Sequence, residues 1–532
     1  MRIHCSAGTE KTLIMSNESS TSHSSRVAKN FVWGSVEVLL SVVAALYTSI
    51  AVARAFGPAQ VGYFNYIYWL TSISAQVASL GLPLATFKYM GEYLGAGEHE
   101  IARAVFAWTL RLQVIFSSVV VLFGIVTSWF FAAPEYRWVA ILLVLAMIPR
   151  MITDIPSLAN DAFQDFKANV HGGFVAIVLT VVFVAFTLNL SWGLKGIAVG
   201  VLVSRIVEFF VKLVPLLQWL KRTKAVPLPE DLRRRLLGFS GRGTGLMLLS
   251  IVIWDRSDMV ILKLLQSDIR QLAFFSVSLS LVDRLMILPQ AFGRALSASQ
   301  MFESGRDKQR LLGITATAAR YTLLGSLPLL LGGACISGSA IQIIYGHQYL
   351  SAIPVFRLAA LFAIPRAMLA PASSLLYSLE DIGFILSWNC ICAAIEIAVD
   401  IALIPHYAAM GAAIGNGIGQ TLAALGVWSR AVLHFGVDLH FPRLAKITLA
   451  AVTMAAAVLF TTRTITSDVV KSIVGVMVGA LTFAAALRLT SALGRDDHDR
   501  MNVLVRRLPA PFQDSAGRIV QFLCSMGMKM EP

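Results

Sequence analysis

The sequence predicts an all-α integral membrane protein of about fourteen transmembrane helices: two six-helix lobes related by a parallel repeat, plus two C-terminal helices. Three observations predict it. Charged residues make up only 14% of the 532 residues while 57% are hydrophobic, against about 25% charged in a soluble domain. Apolar runs of about twenty residues recur, each long enough to cross some 30 Å of hydrocarbon. Finally, short motifs of the first half return in the second at a nearly constant offset.

Backbone groups in lipid must be paired within their own segment, so the apolar runs are helices. The ten-residue alternation of a membrane barrel is absent. The expected spans are 31–53, 61–86, 105–131, 138–160, 170–191, 196–219, 238–263, 272–297, 312–335, 352–378, 381–403, 409–430, 445–462 and 469–489. Breaks fall at Gly and Pro, as at Gly57-Pro58 and Ile404-Pro405. The boundary near Ser378–Asp381 carries the weakest signal.

Leu82-Pro83-Leu84-Ala85 in the second span matches Leu288-Pro289-Gln290-Ala291 in the eighth. Gly196-Ile197-Ala198-Val199-Gly200, opening the sixth, matches Gly411-Ala412-Ala413-Ile414-Gly415, opening the twelfth. Both pairs are six spans apart, an even number, so the halves share one orientation, and a parallel repeat implies a cavity between lobes. The resulting organisation is a polar leader over 1–30, read as disordered and cytoplasmic, a first lobe over 31–237 and a second over 238–440. Two additional helices follow over 441–490, and a basic cytoplasmic tail over 491–532. The Gly411-x-x-x-Gly415 spacing reads as close helix packing.

The net charge of +14 is concentrated in connecting segments. Lys221, Arg222, Lys224, Arg233, Arg234 and Arg235 share one loop, with Arg306, Lys308 and Arg310 in another. This asymmetry puts both termini in the cytoplasm. No basic segment interleaved with aromatics speaks for nucleic acid. The cysteines are scattered, and Cys390 and Cys392, two apart on a helix, suit neither a disulfide nor a metal.

The charges that interrupt the spans are the candidate functional residues. Each would cost roughly 2.5–3.5 kcal/mol near the bilayer centre if exposed to lipid, so they must face one another or water. Arg150/Asp154 and Arg205/Glu208 are spaced to neutralise each other on one helix face, and Lys212 is placed to snorkel to the inner interface. Glu396 and Asp400 share a face and a sign, and need a counter-charge, a shared proton or a cation. With Asp255 and Asp258 they are the candidates for ion coupling; an arginine of a neighbouring span is the alternative partner. Arg284, Arg357 and Arg366, with Arg256, are the candidates for an anionic head group, because a guanidinium fork binds phosphate bidentately. Salt bridges between helices are the alternative for these too. No Walker loop, His-Glu-x-x-His or Gly-x-Ser-x-Gly motif is present. No cofactor or metal is expected, and transport is expected rather than catalysis.

Ala55-Phe56-Gly57-Pro58-Ala59-Gln60-Val61-Gly62-Tyr63-Phe64 followed by Leu80-Gly81-Leu82-Pro83-Leu84-Ala85 resembles the opening of the polysaccharide-exporter branch of the multidrug/oligosaccharidyl-lipid/polysaccharide (MOP) superfamily. Trp254-Asp255-Arg256-Ser257-Asp258-Met259-Val260-Ile261-Leu262 is similar to the polar segment opening the second half of that family. The resemblance runs from about 28 to 490. It implies two six-helix lobes around a V-shaped cavity. It further implies flipping of an undecaprenyl-diphosphate-linked oligosaccharide (O-antigen, exopolysaccharide or a similar repeat unit) across a bacterial inner membrane by alternating access, with H+ or Na+ coupling in some members. The partners it implies are the lipid-linked substrate, membrane lipids and the polysaccharide assembly machinery. A cation-coupled multidrug exporter of the same superfamily is the second reading. A membrane-embedded polymerase or glycosyltransferase is the third, and the short outer connection near Ser337–Ser351 leaves it little room for a catalytic domain.

Overall fold

In a computed structural model the described residues are 7–163, 167–254, 257–304, 308–379, 381–494, 497–499 and 510–524. Every regular element among them is helical. Residue contacts divide the chain into two compact units. Unit 1 holds Met1–Phe56 and Tyr66–Leu248, and unit 2 holds Gly57–Asn65 and Leu249–Pro532.

Helix α1 (Ala7–Ala78) begins inside the segment read as a leader and joins the first two expected spans. It kinks at Gly57, whose φ of 71° belongs to the left-handed region that glycine enters without penalty. The second span ends earlier than the apolar pattern suggested. Leu80 and Gly81 both turn left-handed (φ 47° and 66°), and α2 (Leu82–Gly95) leaves at 43° to α1. Pro83 in the first turn of α2 costs no hydrogen bond there. Then come α3 (His99–Phe131), α4 (Arg137–Ala162), α5 (Lys167–Leu190) and α6 (Gly193–Arg222). Helices α2, α3, α4 and α6 pack around Leu82, Met90, Phe106, Ile155, Leu216 and Leu236, the last supplied by α7 (Glu230–Trp254). At 1.5 Å per residue the 33 residues of α3 run about 50 Å, longer than the hydrocarbon they cross.

In unit 2, α8 (Asp258–Leu265) is separated from α7 at a point where the sequence read one span over 238–263. Next are α9 (Arg270–Ser304) and α10 (Lys308–Tyr345). Helix α10 runs on past residue 335, so most of the expected outer connection is helix, closed by a 3-10 turn at His347–Tyr349. The tenth span is two helices, α11 (Ala352–Ala367) and α12 (Leu369–Ser378), and Trp428 Nε1 donates to the Met368 carbonyl between them at 3.0 Å. Helices α13 (Ile382–Tyr407), α14 (Ala409–Leu433), α15 (Phe441–Thr462) and α16 (Asp468–Leu489) complete the bundle, with the weak boundary at Ser378–Asp381 marked by the end of α12 and the start of α13. The tail is not simply loose: Asp497 is buried, and α17 (Ala510–Cys524) packs on α16.

Large apolar side chains cover the outside of several helices; Phe131 is 86% exposed and Phe460 81%. On helices of membrane-spanning length such surfaces are those that face hydrocarbon. Eight helices are long and apolar enough to cross a membrane, or nine with the bent α1–α2 pair, among the described residues. The difference from about fourteen has a physical source in helices such as α6. Its apolar length is interrupted by Arg205, Glu208 and Lys212, which neutralise one another instead of remaining in contact with lipid. The chain is a multi-pass helical membrane protein.

Candidate functional site

The most concentrated polar chemistry of unit 2 lies where α8 and α14 pack on α13. Glu396 and Asp400 stand one turn apart on α13, and Asp258 opens α8. Their exposures are 0%, 1% and 0%. Asn416 of α14 bridges them, its Nδ2 donating to Asp258 Oδ2 at 3.0 Å and to Glu396 Oε1 at 3.2 Å. Gln420 Nε2 in turn donates to Asn416 Oδ1 at 3.0 Å, which fixes the amide with its donor toward the carboxylates.

Two glycines of α14 make this arrangement possible. A Cβ at Gly415 would collide with the Asp400 carboxylate, and one at Gly419 with that of Glu396. The small residues read as close packing do pack closely, and what they admit is a pair of carboxylates. Asp258 Oδ1, Glu396 Oε2 and both Asp400 oxygens have no hydrogen-bond partner. Among the described residues no lysine or arginine pairs with any of the three. Three negative charges so close together in a desolvated site repel one another, so protons or a small cation must neutralise them. No group with the spacing of a metal site occurs among the described residues.

The other expected site residues are dispersed. Arg366 pairs with Asp283 at 3.2 Å, and Arg357 Nε donates to Ser337 Oγ at 2.8 Å. These two arginines are nine residues apart on α11, about half a turn out of phase, so they do not converge on one ligand from one face. Arg284 lies on α9 beside Asp283. Asp255 and Arg256 lie outside the described residues.

Unit 1 holds a second polar cluster. Glu208 accepts from Arg205 at 2.7 Å, as its spacing predicts, and from Lys212 at 2.8 Å. Lys212 is therefore tied inward rather than directed to the interface. Arg150 donates to Ser72 at 3.2 Å instead of closing on Asp154. Arg150, Arg205, Tyr68 and Ser72 line a small recess.

Sequence reasoning missed Asn416 and Gln420, although both lie one turn apart beside the glycine stripe. It also missed the buried contact of Arg320 with Asp497, whose Oδ1 accepts from the Tyr321 hydroxyl at 2.6 Å as well. A single aspartate beyond the last span gives no sign of a partner far back in α10.

The fold defines the class of protein. It is similar to the lipid II flippase MurJ in an inward closed conformation, with a TM-score of 0.68 at 15% identity, covering 86% of this chain and 98% of that one. It is also similar to an inward-facing multidrug resistance MATE family transporter of the MOP superfamily, with a TM-score of 0.60 at 16% identity, covering 75% of this chain and 97% of the other. A MOP superfamily transporter from Pyrococcus furiosus gives 0.55 at 14% identity, covering 76% and 94%. This is the helical fold of MOP superfamily membrane transporters. Residues 51–354 match the polysaccharide biosynthesis protein family, and the chain belongs to that family. No curated protein sequence matches it.

Proposed function

We propose that the chain is a flippase carrying an undecaprenyl-diphosphate-linked oligosaccharide to the outer leaflet of a bacterial inner membrane. It works by alternating access, with both termini in the cytoplasm, and draws on an H+ or Na+ gradient. Family membership supports the polysaccharide cargo, and the basic inner loops support the orientation. The observation that carries the transport reading is the buried Asp258–Glu396–Asp400 cluster. Its unpartnered carboxylate oxygens are neutral only with protons or a small cation bound, which supports a membrane-embedded site that takes up and releases positive charge. Of the candidate arginines, Arg366 is the proposed contact for the diphosphate and would exchange Asp283 for a phosphate oxygen on loading, with Arg284 as the second; Arg357, half a turn away on α11 and bonded to Ser337, is not part of that contact.

The test is a deletion strain of the source bacterium, complemented with variants. Deletion is expected to leave lipid-linked repeat units on the cytoplasmic face and deplete surface polysaccharide, with drug susceptibility unchanged. The E396Q/D400N double variant should reach the membrane but not restore export. Normal surface polysaccharide in the deletion strain would overturn the cargo, and full complementation by the double variant would overturn the coupling site.

A further inference from the structure

The acidic cluster of unit 2 has a polarity that bears on which positive charge it takes. Asn416 turns its amino group toward the acids: Nδ2 donates to Asp258 Oδ2 and to Glu396 Oε1, while Oδ1 is turned away and accepts from Gln420 Nε2 at 3.0 Å. A hard cation such as sodium is held by oxygens, the carbonyl of an asparagine among them. Here that oxygen is engaged by Gln420, and two N–H bonds point where a cation needs lone pairs. The other groups around the cluster do not alter this. Helices α8, α12 and α14 pack on α13. Besides Asp258, α8 carries Lys263, which makes no ion pair to the cluster. The titratable residue of α12 is Tyr377, and that of α14 is Arg430, bonded to Asp381 at 2.8 Å. On α13 itself, Cys392 lies one turn before Glu396 and is buried.

The unpartnered oxygens suit a proton better than an ion. Asp400 Oδ1 and Glu396 Oε2 press so closely on α14 that a Cβ at Gly415 or Gly419 would overlap them. Sealed under backbone, they leave no room for a cation with its ring of ligands, and a proton needs none. Asp258 lies within hydrogen-bonding reach of both Glu396 and Asp400. Carboxylates in that relation only repel, whereas a carboxylic acid facing a carboxylate makes a charge-assisted hydrogen bond. Asn416 also assigns the oxygens. It occupies Glu396 Oε1 and Asp258 Oδ2, and leaves Glu396 Oε2, Asp258 Oδ1 and both Asp400 oxygens without a partner. Asp258 stands in the first turn of α8, where free backbone amides favour negative charge, so it is the acid best placed to stay ionised.

We propose that the cluster takes protons and rejects sodium, and that Gln420 is the positioning residue that makes it so. Glu396 Oε2 and one Asp400 oxygen each carry a proton and donate to the Asp258 carboxylate, while Gln420 holds the Asn416 amide with its donor inward. Loading forms two O–H bonds and takes the site from three negative charges to one; unloading breaks both and returns two protons. This rests on the reading of the cluster as the coupling site, and it chooses between the two gradients.

Two measurements on the purified full chain test it. Infrared spectroscopy at neutral pH reads protonated carboxyl groups through a C=O stretch that carboxylates lack. The wild-type band should lose one contribution in Glu396→Gln and another in Asp400→Asn. Thermal unfolding in sodium chloride against choline chloride at equal concentration reads sodium binding, because an ion that binds only the folded chain raises the midpoint. The wild type should unfold at the same temperature in both salts. Gln420→Met, of similar volume but without the donor, frees the Asn416 amide to turn its oxygen inward, and a sodium-dependent rise in midpoint should appear. A saturable sodium rise in the wild type, abolished in the E396Q/D400N double variant, would overturn the proton assignment and leave the coupling site standing. A carboxyl band unchanged in both single variants, with no sodium response in the wild type, would overturn the coupling reading as well. Gln420→Met as indifferent to sodium as the wild type would overturn the role of Gln420.

Discussion

Replacing Arg320 by Met should release the segment after α16. Arg320 and Asp497 form an ion pair whose side chains are 8% and 0% exposed. Met keeps most of the volume and removes the charge, leaving a buried carboxylate. Breaking a buried pair from one side costs about 3–5 kcal/mol. Asp497 would retain the Tyr321 hydroxyl at 2.6 Å and the Gly494 amide at 3.0 Å. The lower end, about 3 kcal/mol, is therefore expected, which shifts the local opening equilibrium about a hundred-fold. Limited proteolysis of the C-terminal segment reads that equilibrium when opening and closing outpace cleavage. Adding Asp497→Asn to Arg320→Met should recover part of the loss, because the two residues share one interaction. Cleavage of Arg320→Met within about three-fold of wild type would refute the reasoning, since one decade corresponds to about 1.4 kcal/mol.

The other perturbations address the two polar clusters. Gly419→Ala places a methyl against the Glu396 carboxylate, and such overpacking costs about 1–3 kcal/mol, more than the roughly 1 kcal/mol of helix propensity gained. Thermal unfolding in detergent should show destabilisation, whereas Gly313→Ala, where a Cβ meets nothing, should be neutral or stabilising. Glu208→Gln leaves Arg205 and Lys212 without the carboxylate they share, and a loss of about 1.5–3 kcal/mol is expected from the charge-assisted bonds. The same unfolding measurement checks it, and a midpoint equal to wild type would show that neighbouring groups take over both cations.

Much of the fold was legible because hydrocarbon imposes a single requirement, satisfied backbone and apolar side chains, over some twenty residues at a time. The spans at α4, α5 and α13 to α16 follow that signal within a few residues. It fails where a break is set by backbone conformation alone: Leu82 to Thr86 are as compatible with continuing α1 as with starting α2, and only the left-handed pair Leu80–Gly81 decides. The site divides similarly. Glu396 and Asp400 were visible as a like-charged pair on one face, a pattern that demands compensation. Their relation to Asn416 was not, because that depends on how near α14 approaches, and spacing gives the period of a contact without its depth. Lys212 illustrates the opposite error, where proximity to a helix end suggested snorkelling while Glu208, one turn back, offered a shorter path to neutrality.

Helices α13 and α14 are joined at Ala408, and the glycines at 411, 415 and 419 form a groove along α14 that the ridge of α13 fills. In lipid alone, that groove would leave backbone carbonyls thinly covered, and α13 would present two acidic side chains to hydrocarbon at a cost of several kcal/mol. Helix α13 is long and apolar enough to cross a membrane in spite of these two carboxylates, and α14 is not among the helices that are. The cover for Glu396 and Asp400 is therefore supplied by the neighbouring helix and not by lipid, which makes α13 and α14 a single packing unit.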